Sequence, residues 1–247
     1  MSAVPKFRCC VLLALLLMQG TVAQANVVIA GTRQVFPGSE RELTVQLSNR
    51  GSTPSLVQAW VDDGDEKATP SSSKAPFLVT PVMSRLDPMK GQALRVLLTS
   101  GGLPQDRESL FWLNVLDVPS TDRARAGENH LQVAFRSRLK LLYRPQGLKG
   151  SAASAAEGLQ WKLGERGGKQ VLQASNASAF YVSVSSVSVT AGGRSFASDD
   201  SATIGPQSEL EIPLKPSASP PSGVSGVDYV WVSDFGAAVR QSSSLGD

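Results

Sequence analysis

The side chains that usually carry acid–base, nucleophilic or metal chemistry are scarce in this chain. It has one histidine, His130, and two cysteines, Cys9 and Cys10. His130 stands just before an apolar alternating segment, with no serine–carboxylate arrangement around it, and the Gly-x-Ser-x-Gly elbow of a hydrolase is absent. A single histidine supplies no transition-metal ligand set. Asp62, Asp63, Asp65 and Glu66 cluster about Gly64, but they lack the length and spacing of a calcium loop and read as a solvated turn. No glycine-rich loop joins a strand to a helix, so no phosphate cradle is expected. The Asn176-Ala177-Ser178 sequon reads as a chance match. The inventory points to a binding protein and not an enzyme, with no catalytic residue, cofactor or metal expected.

What remains is a pair of cations and a row of apolar groups. Arg33 lies in Gly31-Thr32-Arg33-Gln34-Val35-Phe36, and Lys140 lies among apolar neighbours in Leu139-Lys140-Leu141-Leu142-Tyr143. On neighbouring strands the two would form a carboxylate site, the guanidinium giving a fork of N–H donors and the ammonium a point charge. Leu131, Val133 and Phe135 alternate with Gln132, Ala134 and Arg136. On a strand, every second side chain faces the same way, so the three form one apolar face. By itself that row is also the pattern of an ordinary half-buried core strand.

Short strands between turn signals must position these groups. Candidates are Asn26–Phe36, ending at Pro37-Gly38, then Glu42–Ser48, Ser55–Val61, Phe77–Met83, Ala93–Thr99, Leu110–Val118 and the long Leu131–Tyr143. Pro81 interrupts its segment and marks an edge or a switch between sheets. Leu159–Leu163, Val171–Ala174, Tyr181–Val189, Leu210–Leu214 and Val227–Val232 repeat the texture, and no helical period runs beyond two turns. The class is all-β, with two immunoglobulin-like β-sandwich domains at residues 26–146 and 147–247, divided near Pro145-Gln146-Gly147. Residues 1–25 read as a signal peptide. Lys6 and Arg8 precede the apolar run Val11–Met18, and Ala23-Gln24-Ala25 is the cleavage signal. Removing it takes away both cysteines and leaves 22 basic against 21 acidic residues of the original 24 and 21. A mature charge near +1 argues against nucleic acid, and no later segment is long and apolar enough to insert in a membrane.

The strings Leu103-Pro104-Gln105-Asp106-Arg107-Glu108-Ser109-Leu110-Phe111 and Lys140-Leu141-Leu142-Tyr143-Arg144-Pro145 resemble signature segments of the periplasmic pilus (fimbrial) assembly chaperones of the chaperone–usher pathway. Arg33 with Phe36, Gln58-Ala59-Trp60-Val61 and Arg85-Leu86-Asp87-Pro88 match the same family, as do Asn176 and Ser233-Asp234-Phe235-Gly236 more thinly. The resemblance implies an L-shaped (boomerang) pair of sandwiches and a location in the periplasm. It implies pilus subunits and an outer-membrane usher as partners, with the subunit held by donor-strand complementation. Leu131, Val133 and Phe135 would form the donor strand, Arg33 and Lys140 would anchor the subunit's C-terminal carboxylate, and Glu108, Arg144 and Asp234 would form an inter-domain charge network. Two departures are evident: Pro81-Val82 stands where relatives often carry Pro-Pro, and the second domain has no disulfide. The short Pro119–His130 connection resembles the subclass that assembles pili, and Arg123, Arg125 and Glu128 suggest that it is a mobile polar loop. A free chaperone is expected to cap its own exposed edge by self-association. The competing readings are a two-domain adhesin of the cell envelope, which needs no buried carboxylate anchor, and a periplasmic hydrolase, which needs a nucleophile–base pair.

Overall fold

The computed structural model describes residues 26–99, 101–120, 132–191, 194–198, 200–214, 224 and 226–246. The signal-peptide reading, Leu131, His130 and the loop residues Arg123, Arg125 and Glu128 lie outside them.

The first sandwich holds β1 (Val27–Ile29), β2 (Arg33–Pro37), β3 (Glu42–Asn49), β4 (Ser55–Asp62), β5 (Phe77–Thr80), β6 (Met83–Leu86), β7 (Gly91–Leu98), β8 (Ser109–Pro119) and β9 (Phe135–Arg144). Its sheets run β1-β3-β7-β5 and β2-β9-β8-β4-β6. Alternation in these strands sends Val45, Leu47, Val57, Ala59, Val61, Leu94, Val96, Leu113 and Leu141 between the sheets. Phe77 packs edge-on against Phe36 at 5.5 Å and Phe111 at 4.9 Å within that core.

Two chain breaks decide which sheet a residue joins. The first extended segment splits at Gly31, whose φ of 80° suits glycine. Before it, β1 pairs with β3; after it, β2 pairs with β9 in the other sheet. Likewise the chain changes sheets at Pro81, after a cis Thr80–Pro81 bond: β5 pairs with β7 and β6 with β4.

The second sandwich begins with a short helix, α1 (Ala152–Glu157), that the sequence reading passed over. Ser151 caps it by accepting from Ser154 N at 3.0 Å. The strands are β10 (Gln160–Arg166), β11 (Lys169–Asn176), β12 (Val182–Ala191), β13 (Arg194–Ser198), β14 (Ala202–Ile204), β15 (Ser208–Pro213), β16 (Gly226–Val232) and β17 (Ala238–Ser244). One sheet runs β10-β11-β15 and the other β13-β12-β16-β17, with β14 also on β12. Trp161, Leu172, Val184, Ile204, Ile212 and Tyr229 fill the core, and Tyr229 Oη donates to Ala156 O of α1 at 2.7 Å. The sequence reading also missed β17. Its Val239, Gln241 and Ser243 alternate with little apolar contrast, because it is an outer strand packed on one side only.

Among the described residues, no helix is long and apolar enough to cross a membrane.

Candidate functional site

Arg33 opens β2, and Lys140 lies within β9. The two strands are parallel, and these two residues are partners in their register. Both cations are therefore presented side by side at the junction of the sandwiches. Lys140 Nζ donates to Ser183 Oγ at 2.8 Å and Thr203 Oγ1 at 2.5 Å, both from the second sandwich. Arg33 Nη1 donates to Val232 O at 2.9 Å, while its buried Nε has no acceptor among the described residues. Burial, and then the neighbouring Arg33 cation, pull the Lys140 ammonium down to about 8. Burial also lowers Arg33, against the opposing pull of Asp234 and Glu108. Two desolvated cations with a spare N–H are a ready receptor for an anion, and a carboxylate fits the guanidinium fork. The second-sandwich hydroxyls of Ser183 and Thr203 were not legible beforehand, since nothing in sequence places β12 and β14 against β9.

The apolar row differs from expectation. The strand reading began at Leu131, but β9 begins at Phe135, opposite Asp117 of β8, and residues 132–134 lie outside the ladder. Phe135 shares its parity with Leu141 and Tyr143, which are core residues, yet it is 46 % exposed and Val133 is 45 % exposed. The row therefore continues the core face of the first sandwich beyond the point where the core ends. Its backbone is open as well. β2 pairs only with Lys140–Arg144, so among the described residues no strand covers the same edge of β9 at 135–139.

Glu108, Arg144 and Asp234 meet in one chain of ionic hydrogen bonds. Arg144 Nε donates to Glu108 Oε1 at 2.6 Å, and its two Nη atoms grip Asp234 at 2.7 and 2.9 Å. Glu108 Oε2 accepts from Tyr181 N at 2.7 Å, and Glu108 N donates to Ala179 O at 2.9 Å, so this buried carboxylate is tied to both sandwiches. Burial pushes Glu108 up against the pull of Arg144, while the bonds to Asp234 and Glu108 raise Arg144 despite its own burial. Asp234 sits in the turn between β16 and β17. At Gly236 of that turn, φ is 81° and a Cβ would collide with Thr32 Oγ1 of the first sandwich. Only glycine lets the turn approach that closely.

Of the acidic cluster, Asp63, Asp65 and Glu66 are exposed as expected of a solvated turn, but Asp62 is not. Asp62 is 0 % exposed and accepts from Arg138 Nη2 at 2.6 Å and Asn114 Nδ2 at 2.7 Å, because the parity of β4 turns it onto the outer sheet face beside β8 and β9. Asn176 is also buried, and its amide holds Phe180 O and Gly205 O, each at 2.8 Å.

Two sandwiches that meet around a cationic cleft, next to an unfinished strand edge, define a chaperone of pilus assembly. Family models match in succession: residues 26–149 fit the N-terminal domain of the pili and flagellar-assembly chaperone PapD, and residues 154–243 fit the C-terminal domain of the pili assembly chaperone PapD. The chain belongs to this family. It is 39 % identical over 230 residues to the probable fimbrial chaperone YadV of Escherichia coli K12, covering 90 % of each chain. It is 38 % identical over 238 residues to the chaperone protein FimB/FhaD of Bordetella pertussis, covering 95 % of this chain and 94 % of that one. Among solved structures, the YadV chaperone superposes with a TM-score of 0.77 at 36 % identity, over 90 % of this chain and all of that one. The SafB chaperone of Salmonella enterica, solved in complex with the SafA pilin, superposes with a TM-score of 0.74 at 26 % identity, over 91 % of this chain and 99 % of that one.

Proposed function

We propose that this protein captures pilus subunits by lending them the first half of β9, and that the division of the chain at 146/147 separates the lending domain from its support. The observation that carries the reading is the end of the open edge. Among the described residues, no strand pairs with 135–139 of β9 on one side, and that side terminates at the paired cations Arg33 and Lys140. A client strand lying along 135–139 with its C-terminal carboxylate on those cations must run in the same direction as β9. It would continue the line of β2, so the pairing is parallel. Val133 and Phe135, with Leu131 before them, would fill client pockets, and the client's interior would continue the core face of Leu141 and Tyr143. Each such side chain contributes about 1.5–3 kcal/mol when fully buried, before the entropy of association is subtracted. The carboxylate fixes register, and a one-residue slip would turn the apolar row to the wrong face.

In this reading Glu108, Arg144 and Asp234 hold the sandwiches so that Ser183 and Thr203 stay on Lys140. The protein works in the periplasm, without catalysis, and passes its client to an outer-membrane usher. Without a client, a second copy of the chain covers the open edge.

The test is direct. A synthetic peptide of alternating apolar and polar residues with a free C-terminal carboxylate should bind, and the same peptide with a C-terminal amide should bind far more weakly. Phe135→Asp should abolish binding of the acid peptide with an unchanged melting temperature, because the side chain is already half exposed in the free protein. Equal binding of acid and amide would overturn the anchor. Normal binding by Phe135→Asp would overturn the donor strand.

A further inference from the structure

Among the described residues, no strand covers one edge of the lent half of β9, and its apolar face is left half exposed, so two of the constraints that keep a strand in place are missing there. A third constraint lies on its opposite face. Arg136 and Arg138 alternate with Phe135 and Ser137, and they project onto the outer sheet face with Trp60 and Asp62 of β4 and Trp112 and Asn114 of β8. Arg138 grips Asp62 with Nη2 to Oδ1 at 2.6 Å and Nε to Oδ2 at 3.1 Å, and its guanidinium lies 4.3 Å from the Trp112 ring centroid. Arg136 donates from Nε and Nη2 to Asn114 Oδ1 at 2.9 and 2.7 Å, and from Nη1 to Glu66 O at 2.7 Å, while lying 4.9 Å from the Trp60 ring centroid. Asn114 closes the set by donating to Asp62 Oδ2 at 2.7 Å.

We infer that Asp62 and Asn114 are positioning residues for client capture: through Arg136 and Arg138 they clamp the lent segment of β9 onto β8 and β4 and keep it extended before a client arrives. This rests on the donor-strand reading above. The clamp uses the face that the client leaves alone, so it need not open on binding. Its energy is sensitive to Asp62, because the carboxylate is fully buried: without it Arg138 loses its bidentate acceptor, and Arg136, whose Nη2 lies 3.7 Å from Oδ2, loses its ionic partner. Burial pushes the Asp62 carboxyl up, but the bonds from Arg138, Asn114 and Gly64 N outweigh it and hold it below the usual carboxylate range. The clamp therefore stays charged at neutral pH. A strand held in advance costs less ordering entropy when it binds, which is the physical basis for a faster and tighter capture.

The closing experiment compares the full chain with Asp62→Asn, Asp62→Glu and a core variant, Val45→Ala, matched in melting temperature by adjusting urea. Amide hydrogen exchange is read at 135–139 in the free protein, and association with the carboxylate-ended peptide is read by stopped flow. Asp62→Asn should speed exchange at 135–139 roughly ten-fold or more and slow peptide association by a similar factor, while Val45→Ala at matched stability does neither. Asp62→Glu should recover part of both. If Asp62→Asn tracks the matched core variant in both readouts, the network is ordinary structural support and the inference is wrong. Failure of wild type to bind the peptide would instead overturn the donor-strand reading, and the exchange result would remain decisive for the clamp.

Discussion

Replacing Lys140 by alanine is expected to weaken binding of a carboxylate-ended client peptide by roughly 30-fold or more, which corresponds to about 2 kcal/mol or more for truncating one partner of a buried charged contact. Arg33→Ala should do the same. Neither should lower the melting temperature. Lys140 is a desolvated cation beside a second cation in the free protein, and its removal relieves both burdens. The discriminating control is a cycle with the amide-ended peptide. Amidation should cost wild type as much as the mutation does and cost Lys140→Ala almost nothing more. If amidation weakens both proteins equally, the carboxylate does not sit on Lys140.

The same site predicts a pH signature. Lys140 carries its proton below about 8 in the free protein, and a bound carboxylate would stabilise the ammonium further. Client affinity should therefore hold below pH 8 and fall as pH rises above it, since binding must then take up a proton. Stability should move the other way. The folded pKa lies below the ordinary lysine value, so the unfolded chain binds more protons between about 8 and 10.5, and this group favours folding increasingly across that window. Calorimetry in two buffers of different ionisation heat reads the proton uptake, and its absence at pH 8.5 would contradict the assignment.

Arg144→Ala is expected to have the largest effect on stability. Among the described residues, it leaves the buried Glu108 carboxylate with Tyr181 N as its donor and frees Asp234 from its fork. Breaking a buried ion pair by removing one partner costs about 3–5 kcal/mol. The two sandwiches should then unfold in separate transitions, where wild type is expected to unfold in one. Glu108 is raised by burial, so the deficit should shrink as pH falls through its titration, where a protonated acid needs no counter-cation. Arg144→Lys restores charge but not the bidentate grip on Asp234, and it should recover only part of the loss. A single transition with less than about 1 kcal/mol of change would show the bonds to be incidental surface pairs.

The sequence alone determined much of this protein. Period-2 alternation in Glu42–Ser48 and Ser55–Val61 specified strands, because one face must be apolar to be buried. Pro81 marked an edge or a change of sheet, because it cannot donate to a ladder, and the chain does change sheets there. Lys140 stood out because a cation among apolar neighbours needs a reason, and Arg33 because it is a cation in an early extended segment that could lie beside it. The charged trio Glu108, Arg144 and Asp234 was nameable only through resemblance, since its members are far apart in the chain. Tertiary structure decided the rest. The alternation of Leu131–Phe135 is the same whether a row is covered or not, and only the exposure of Val133 and Phe135 distinguishes a core strand from an unfinished one. The parallel pairing of β2 with β9 put Arg33 on Lys140 and stopped where the open edge begins. Asp62 read as a solvated carboxylate because it begins the run Asp62-Asp63-Gly64-Asp65-Glu66. Its partners, Asn114 and Arg138, come from strands that only folding brings alongside. Periodicity fixes which way a side chain faces, but what it meets there depends on contacts between residues distant in the chain.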